Sequence, residues 1–309
     1  MSPLIVGGGR SGWRVSVLCW GLALTVGPVA QAAPVSVVDD HGDVVTLSAP
    51  ARHIVSLAPH TTELLFAAGA ADRVVATVRY ADYPPAAQKV PQVGDTQSLD
   101  LERIAALKPD LIVVWMHGNA MQQIERLRAL GLPIFHSEPH KIVDIADSLR
   151  RLGKLAATDA QAERAARAFE TEHRRLQSRY SKRPAVRVFY QVWDNPVMTV
   201  NDDHLISDVL RLCGGQNVFG HLDTLVPTMD VEAVLKAHPQ VLIAGLPGGE
   251  EGRLDRWREF KHFEPVEQGL LFTVPADLIS RHGPRILLGA QRICTVLDEA
   301  RQKLGLTER

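Results

Sequence analysis

Apolar and polar positions along the chain change period in a regular way. Val35-Ser36-Val37-Val38 and Val44-Val45-Thr46-Leu47 flank the turn-rich stretch Asp39-Asp40-His41-Gly42-Asp43, which predicts a β-hairpin. Strand and helix patterns then alternate. Residues 53–57 read as a strand, and 62–68 as a helix stopped at Gly69. Residues 73–78 read as a strand, and 101–107 as a helix ending before Pro109. Residues 111–115 form a continuous apolar strand, 121–130 a helix closed by Gly131, and 132–135 another strand. Such alternation predicts a largely parallel sheet covered by helices.

From residue 159 to about 180 the pattern changes. Ala, Glu, Arg and Gln dominate, Gly and Pro are absent, and one long helix is predicted. Lys182-Arg183-Pro184 ends it, and a strand begins near Val186. A charged, unbroken helix between two α/β halves is a rigid connector, unlike a flexible Gly/Ser linker. The second half echoes the first. Leu99-Asp100-Leu101-Glu102 with Pro109 and an apolar strand recurs as Met229-Asp230-Val231-Glu232 with Pro239 and Val241-Leu242-Ile243-Ala244, at a constant offset of 130 residues (232 − 102). Thr62-Glu63-Leu64-Leu65 with Gly69 is similarly followed by Ser207-Asp208-Val209-Leu210 with Gly214. This order predicts two lobes of similar topology. The expected division is residues 1–32 as a signal peptide, 33–155 and 184–309 as α/β lobes, and 156–183 as the connecting helix.

A cleft between two such lobes is the natural ligand site, at the carboxyl ends of strands. The loops there hold Pro59-His60-Thr61, Tyr80, Trp115-Met116-His117-Gly118-Asn119, Trp193-Asp194-Asn195-Pro196, and Asp277 to Arg281.

The N-terminus changes the compartment. Arg10 and Arg14 are the only charges in the first 32 residues, an apolar run extends from Val15 to Val26, and Ala30-Gln31-Ala32 follows. That order reads as a secretory signal peptide cleaved after Ala32, which places the protein in the periplasm. The run is shorter than the roughly 20 residues of a membrane span. Leu18 before Cys19 argues against lipidation. Gly7-Gly8-Gly9-Arg10-Ser11-Gly12 matches G-x-G-x-x-G, but a signal region follows it instead of an amphipathic helix, so no dinucleotide site is expected. Loss of Arg10 and Arg14 takes the formal charge from −1 to −3, which leaves no basic excess to hold nucleic acid. Cys213 and Cys294 remain as one disulfide or two buried thiols, and an oxidising compartment favours the disulfide. No G-x-S-x-G elbow or P-loop occurs, so neither hydrolase chemistry nor ATP hydrolysis is expected.

Particular segments carry a resemblance. Ile54-Val55-Ser56-Leu57-Ala58-Pro59, followed by Thr62-Glu63-Leu64, resembles the start of the helical-backbone class (class III) of periplasmic binding proteins. Tyr80-Ala81-Asp82-Tyr83-Pro84-Pro85 is similar to the vitamin B12 branch of that class. Leu101-Glu102-Arg103-Ile104, Leu107-Lys108-Pro109-Asp110-Leu111, Gly118-Asn119-Ala120, Cys213-Gly214-Gly215-Gln216-Asn217-Val218-Phe219 and Ser280-Arg281-His282-Gly283-Pro284-Arg285 extend it over about residues 52–300.

The resemblance implies two Rossmann-like α/β lobes joined by one long helix. It implies the substrate-binding component of a bacterial ABC importer, monomeric when free and without a cofactor. Such a protein captures cobalamin or a related corrinoid and delivers it to a permease dimer with its ATPase subunits. By position it makes Tyr80 and Trp115 ring-contacting aromatics, Asp277 to Arg281 a ligand loop, Glu102 and Glu232 permease-docking carboxylates, and Cys213–Cys294 a disulfide. The chain departs from the family at Thr96, Val192, Met198 and Val226, where further aromatics stand, and at Leu278-Ile279-Ser280, which replaces bulkier residues. Trp193 is a replacement surface beside Val192.

The expected ligand-binding set is therefore Tyr80, Trp115, Trp193, Met198, Asp277 and Arg281. Corrinoids are flat-faced and amide-fringed, which suits aromatic faces with polar groups at the rim. Tyr83 competes with Tyr80 as a packing residue. His60, His117, His136 and His140 lie near strand-end loops, and most are expected to be solvated. Without H-x-H or H-E-x-x-H spacing, no dedicated metal site is expected. A haem or ferric siderophore is the rival ligand, with Tyr80, His60 or His117 as possible axial groups.

Overall fold

The computed structural model describes residues 1–5, 7–9, 12, 33–246 and 252–306. The signal-peptide reading, with Arg10, Arg14, Cys19 and the site at Ala32, falls outside the described residues. Every element below belongs to the unit formed by residues 32–309.

Strands β1 (Val35–Val38) and β2 (Val44–Leu47) pair antiparallel, Val35 opposite Leu47. Alternation puts Val35, Val37, Val45 and Leu47 on the buried face. The first lobe continues with β3 (Ile54–Ser56), α1 (Pro59–Ala67), β4 (Val74–Ala76), α2 (Leu101–Ala106), β5 (Leu111–Trp115), α3 (Met121–Ala129), β6 (Ile134–Ser137) and α4 (Ile142–Leu155). Helix α5 (Asp159–Tyr180) follows. The second lobe holds β7 (Val186–Gln191), β8 (Trp193–Asp194), β9 (Val197–Met198), α6 (Leu205–Leu212), β10 (Gly215–Asn217), α7 (Val231–Lys236), β11 (Val241–Leu246), α8 (Glu264–Glu267), β12 (Leu271–Pro275), α9 (Ala276–Ile279) and α10 (Ile286–Lys303).

The two parallel sheets have one topology. Their orders are β4-β3-β5-β6 and β10-β7-β11-β12. In each, the first strand has the next one on one side and the third and fourth on the other. The sequence echo recurs in detail: α2 and α7 occupy matching positions, and Lys108 and His238, also 130 apart, take the same positive φ of 46° and 45°. The unbroken apolar strands are explained by cover on both faces. On β5, Leu111 and Val113 enter a core shared by both lobes, while Ile112 and Val114 enter a separate cluster under α2 and α3. On β11, Val241 and Ile243 enter the shared core, and Leu242 and Ala244 pack with Phe189 and Trp257.

Helix α4 is an element that the sequence reading left unassigned. Its buried residues Ile142, Ile145, Ala146, Leu149, Leu152 and Leu155 have helical spacing, a signal masked by Gly153 near its end. The tertiary contact explains that glycine: a Cβ there would overlap Ala162 of α5, so the close α4–α5 approach needs it. Helix α1 starts three residues before the predicted 62, because Pro59 fits a first helical turn and Thr61 Oγ1 accepts a hydrogen bond from the Ala58 amide at 3.2 Å. Helix α5 packs along α4 and touches α1 of the first lobe and α6 and α10 of the second, so the connector contributes to the shared core.

Cys213, capping α6, is disulfide-bonded to Cys294 on α10, and both are fully buried. The bond joins positions 81 apart and pins the last helix to the second lobe. Closing a loop of that size is nominally worth roughly 4 kcal/mol. The Cys213→Ala/Cys294→Ala protein should melt at a lower temperature than the parent, and non-reducing peptide mapping should return the two cysteine peptides as one species. Two free thiols would refute the pairing.

Candidate functional site

The strand orders place a topological switch between β3 and β5 in the first lobe and between β7 and β11 in the second, where ligand crevices form. At the first switch, one side chain joins three loops. Asn119 Oδ1 accepts from the Trp115 amide at 2.7 Å, and its Nδ2 donates to the carbonyls of Leu57 at 2.9 Å and Thr96 at 3.0 Å. The loop turns over Gly118, where a Cβ would overlap the Trp115 ring. Trp115 is thereby held, half-buried, at the end of β5.

In the second lobe, Trp193 follows the carboxyl end of β7. It is 48% exposed, donates from Nε1 to the Asn195 carbonyl at 3.0 Å, and carries Arg253 Cζ over its face at 4.8 Å. Met198 stands opposite it in the β8–β9 ladder and is half-buried. Behind them Gln191 accepts from Trp257 Nε1 at 2.8 Å and donates to the Arg253 carbonyl at 2.7 Å. The two tryptophans flank the switch points of their sheets from different strands, Trp115 at the end of β5 and Trp193 just after β7.

A charge network crosses between the lobes. Glu63 on α1, with a side chain only 2% exposed, accepts from Arg281 at 3.0 Å and from Arg285 Nε and Nη2 at 2.9 and 2.8 Å. Arg281 also reaches Asp82 at 2.7 Å and the Tyr80 carbonyl at 3.1 Å, while Arg285 binds Asp277 at 2.7 Å. Burial alone would raise the Asp82 pKa, but the Arg281 hydrogen bond, the charges of Arg281 and Arg285 and a backbone hydrogen bond together outweigh it and hold the carboxyl below its usual range. Tyr80, at φ +66°, leaves its side chain 67% exposed. Tyr83 lies beneath Arg285, 4.1 Å from Cζ, and is the packing tyrosine of the pair. Asp277, Arg281 and Tyr80 thus fall in one contiguous patch, and Trp193 and Met198 form another.

A histidine cluster fills the join, with His60 and His282 buried and His204 half-buried, and sequence reasoning missed most of it. The ring of His60 meets Trp115 edge-on at 5.4 Å and His282 at 5.7 Å; His204 meets His282 at 5.3 Å. His60 Nε2, Trp115 Nε1, Ser137 Oγ and His282 Nδ1 are buried without a hydrogen-bond partner among the described residues. Glu138 is also buried, 4.0 Å from His282 and 3.6 Å from the exposed His117. The expectation that most of the four strand-end histidines are solvated is corrected here. His60 and His136 are buried, because the first packs under Trp115 and the second belongs to β6. Adjacency of His282 to Arg281 was the only sequence signal for the missed residues.

Burial pushes His60 down to about 3, with the Arg281 charge adding to it. It also takes His204 down to about 4 and His282 well below its usual value. The His204 Nδ1 accepts from the Ile206 amide at 3.1 Å, which suits the neutral ring. An unfolded chain protonates all three near pH 6.5, whereas the folded protein leaves them neutral well below that. The unfolded state therefore binds more protons between pH 6.5 and 4. Stability should fall as pH is lowered through that window, by up to about 1.4 kcal/mol per pH unit for each group. Glu138, raised by burial, acts in the opposite sense above pH 4.5 and offsets part of the loss. Urea midpoints should be lower at pH 5 than at pH 7, and less so for His60→Gln. Equal midpoints would contradict a neutral cluster.

Glu102 and Glu232 are exposed on the first turns of α2 and α7, with Glu232 paired to Lys236 at 2.8 Å. The comparisons with known proteins agree with this architecture. The family model described as periplasmic binding protein matches residues 54–278. A relative from Pectobacterium atrosepticum, named vitamin B12-binding protein, is 36% identical over 287 residues, covering 91% of this chain and 95% of its own. The crystal structure of the periplasmic vitamin B12 binding protein of Vibrio cholerae superposes with a TM-score of 0.75 at 34% identity, over 82% of this chain and 98% of that one. The periplasmic haem-binding protein from Roseiflexus sp. RS-1 shares the fold, with a TM-score of 0.69 at 21% identity, over 81% of this chain and 98% of that one. With its two matching sheets, its long connecting helix and this degree of identity to such relatives, the chain belongs to the periplasmic binding protein family.

Proposed function

We propose that this protein captures cobalamin or a related corrinoid in the periplasm, after cleavage at Ala32, and delivers it to an ABC permease dimer with its ATPase subunits. The observation that carries the reading is the presence of an aromatic residue beside the switch point of each sheet, Trp115 in one lobe and Trp193 in the other. A flat macrocycle between the lobes has an aromatic face available from either side. Tyr80 and Met198 extend the apolar lining, and the Asp277–Arg281 segment, which begins in α9, supplies polar groups suited to an amide fringe. The name of the Pectobacterium relative points to the same ligand. The protein binds its solute one to one as a monomer and does no covalent chemistry on it.

Haem is the second reading, and the exposed Tyr80 favours it, since tyrosine is a known axial ligand of haem iron. His60 does not serve that role, because its ring is enclosed by Trp115 and His282. Absorbance titration with cyanocobalamin and haemin separates the two. The corrinoid should bind at one equivalent, and Trp115→Ala should weaken it by roughly 1–3 kcal/mol. Tight haemin binding with no response to any corrinoid would replace this reading with the second.

Glu102 and Glu232 serve as the permease-docking pair. Carboxylates in a helix's first turn already suit its dipole. Matched exposed carboxylates on both lobes also suit two equivalent basic surfaces, with arginine the preferred partner for its planar fork. The double variant Glu102→Ala/Glu232→Ala should keep corrinoid affinity while losing uptake and transporter-stimulated ATP hydrolysis. Full transport by that variant would count against docking.

A further inference from the structure

We propose that His41, Asp43 and His136 form a binding site for Zn²⁺ or a similar divalent transition ion, away from the interlobe cleft. The three come from two places, His41 and Asp43 from the β1–β2 turn and His136 from β6. Their ligand atoms lie within 4.8 Å of one another, and the two imidazole centroids are 5.2 Å apart. One buried carboxylate organises the set. Asp39 Oδ1 accepts from the amides of His41 at 3.0 Å and Asp43 at 2.9 Å. Its Oδ2 accepts from the His136 amide at 3.0 Å and lies 2.8 Å from His136 Nδ1. With Nδ1 donating to that carboxylate, Nε2 is left as the acceptor and ligand atom. This is the orienting arrangement that zinc-bound histidines use, in which a second carboxylate fixes the tautomer.

A cation already stands on these donors. Arg128 Nη2 is 3.2 Å from His136 Nε2, and Nη1 is 3.7 Å from Asp43 Oδ2. The guanidinium marks a position where positive charge is favoured. It is also 42% exposed and has Glu125 as an alternative partner at 3.4 Å, so it can swing out. His41 and Asp43 are exposed enough to close around an ion, and two imidazoles with one carboxylate and water match zinc's preferred ligands. The ion would fasten the opening hairpin more tightly to the edge strand of the first sheet, a join that Asp39 makes at His136 and that Asp40 makes at His136 and Glu138.

Titration calorimetry of the untagged full chain with ZnCl₂, after chelator treatment, tests this. One saturable site per chain is expected, with a melting temperature that rises with zinc concentration. His41→Ala should weaken binding at least about tenfold, as loss of one ligand or its orienting partner does. Arg128→Gln should tighten it, since the competing cation is gone. Cyanocobalamin and haemin titrations should be unchanged in both variants. No saturable binding by the parent would overturn the site. So would parental affinity in His41→Ala, which would place zinc on other histidines, or an Arg128→Gln protein that binds no more tightly than the parent.

Discussion

A buried carboxylate shared by two guanidinium groups decides how the halves of this protein meet. Glu63 projects from the first helix of one lobe, and Arg281 and Arg285 come from the loop and helix that close the other. Taking such charges out of water is costly, and the cost is recovered only when each finds partners of good geometry. The network meets that condition through Asp82, Asp277 and the Tyr80 carbonyl. The exposed tyrosine, the Asp277–Arg281 segment and the lobe interface are therefore mechanically one unit.

Around that contact, the duplicated topology gives each lobe a switch point flanked by an aromatic residue, from a different strand in each. Each sheet reverses its strand order at one place, and each reversal presents a tryptophan. The supports differ. Trp115 is fixed by Asn119 and by the absence of a side chain at Gly118, whereas Trp193 is exposed and stacked with Arg253. One face is rigid and half-buried, the other adaptable, which suits a solute of irregular outline.

The interface is also polar to an unusual depth. Four buried nitrogen and oxygen atoms around His60, Trp115, Ser137 and His282 have no protein partner among the described residues. Buried groups of this kind are normally paired, with ordered water as the common alternative. Such a seam is weaker than a purely apolar one, so the lobes are held by the charge network and the shared helices more than by the cleft itself.

Fold class, the two-lobe division, the hairpin, the long helix and most strand positions were legible in the sequence, because periodicity and punctuation are local properties of the chain. The constant offset of 130 residues exposed the duplication, and the aromatic strand ends were legible as residues following apolar strands. Helix α4 was missed where a glycine serves a helix contact that local propensity does not encode. The histidine cluster was hidden for a related reason: His60, His204 and His282 are far apart in the chain and meet only when the lobes pack. The commitments of Arg281 to Glu63 and of Asp39 to His136 span 218 and 97 residues. Residue type and spacing show that a group can carry charge or donate a hydrogen bond. Which partner it takes, and whether burial lets it ionise, depends on the tertiary environment that sets local solvation and distance.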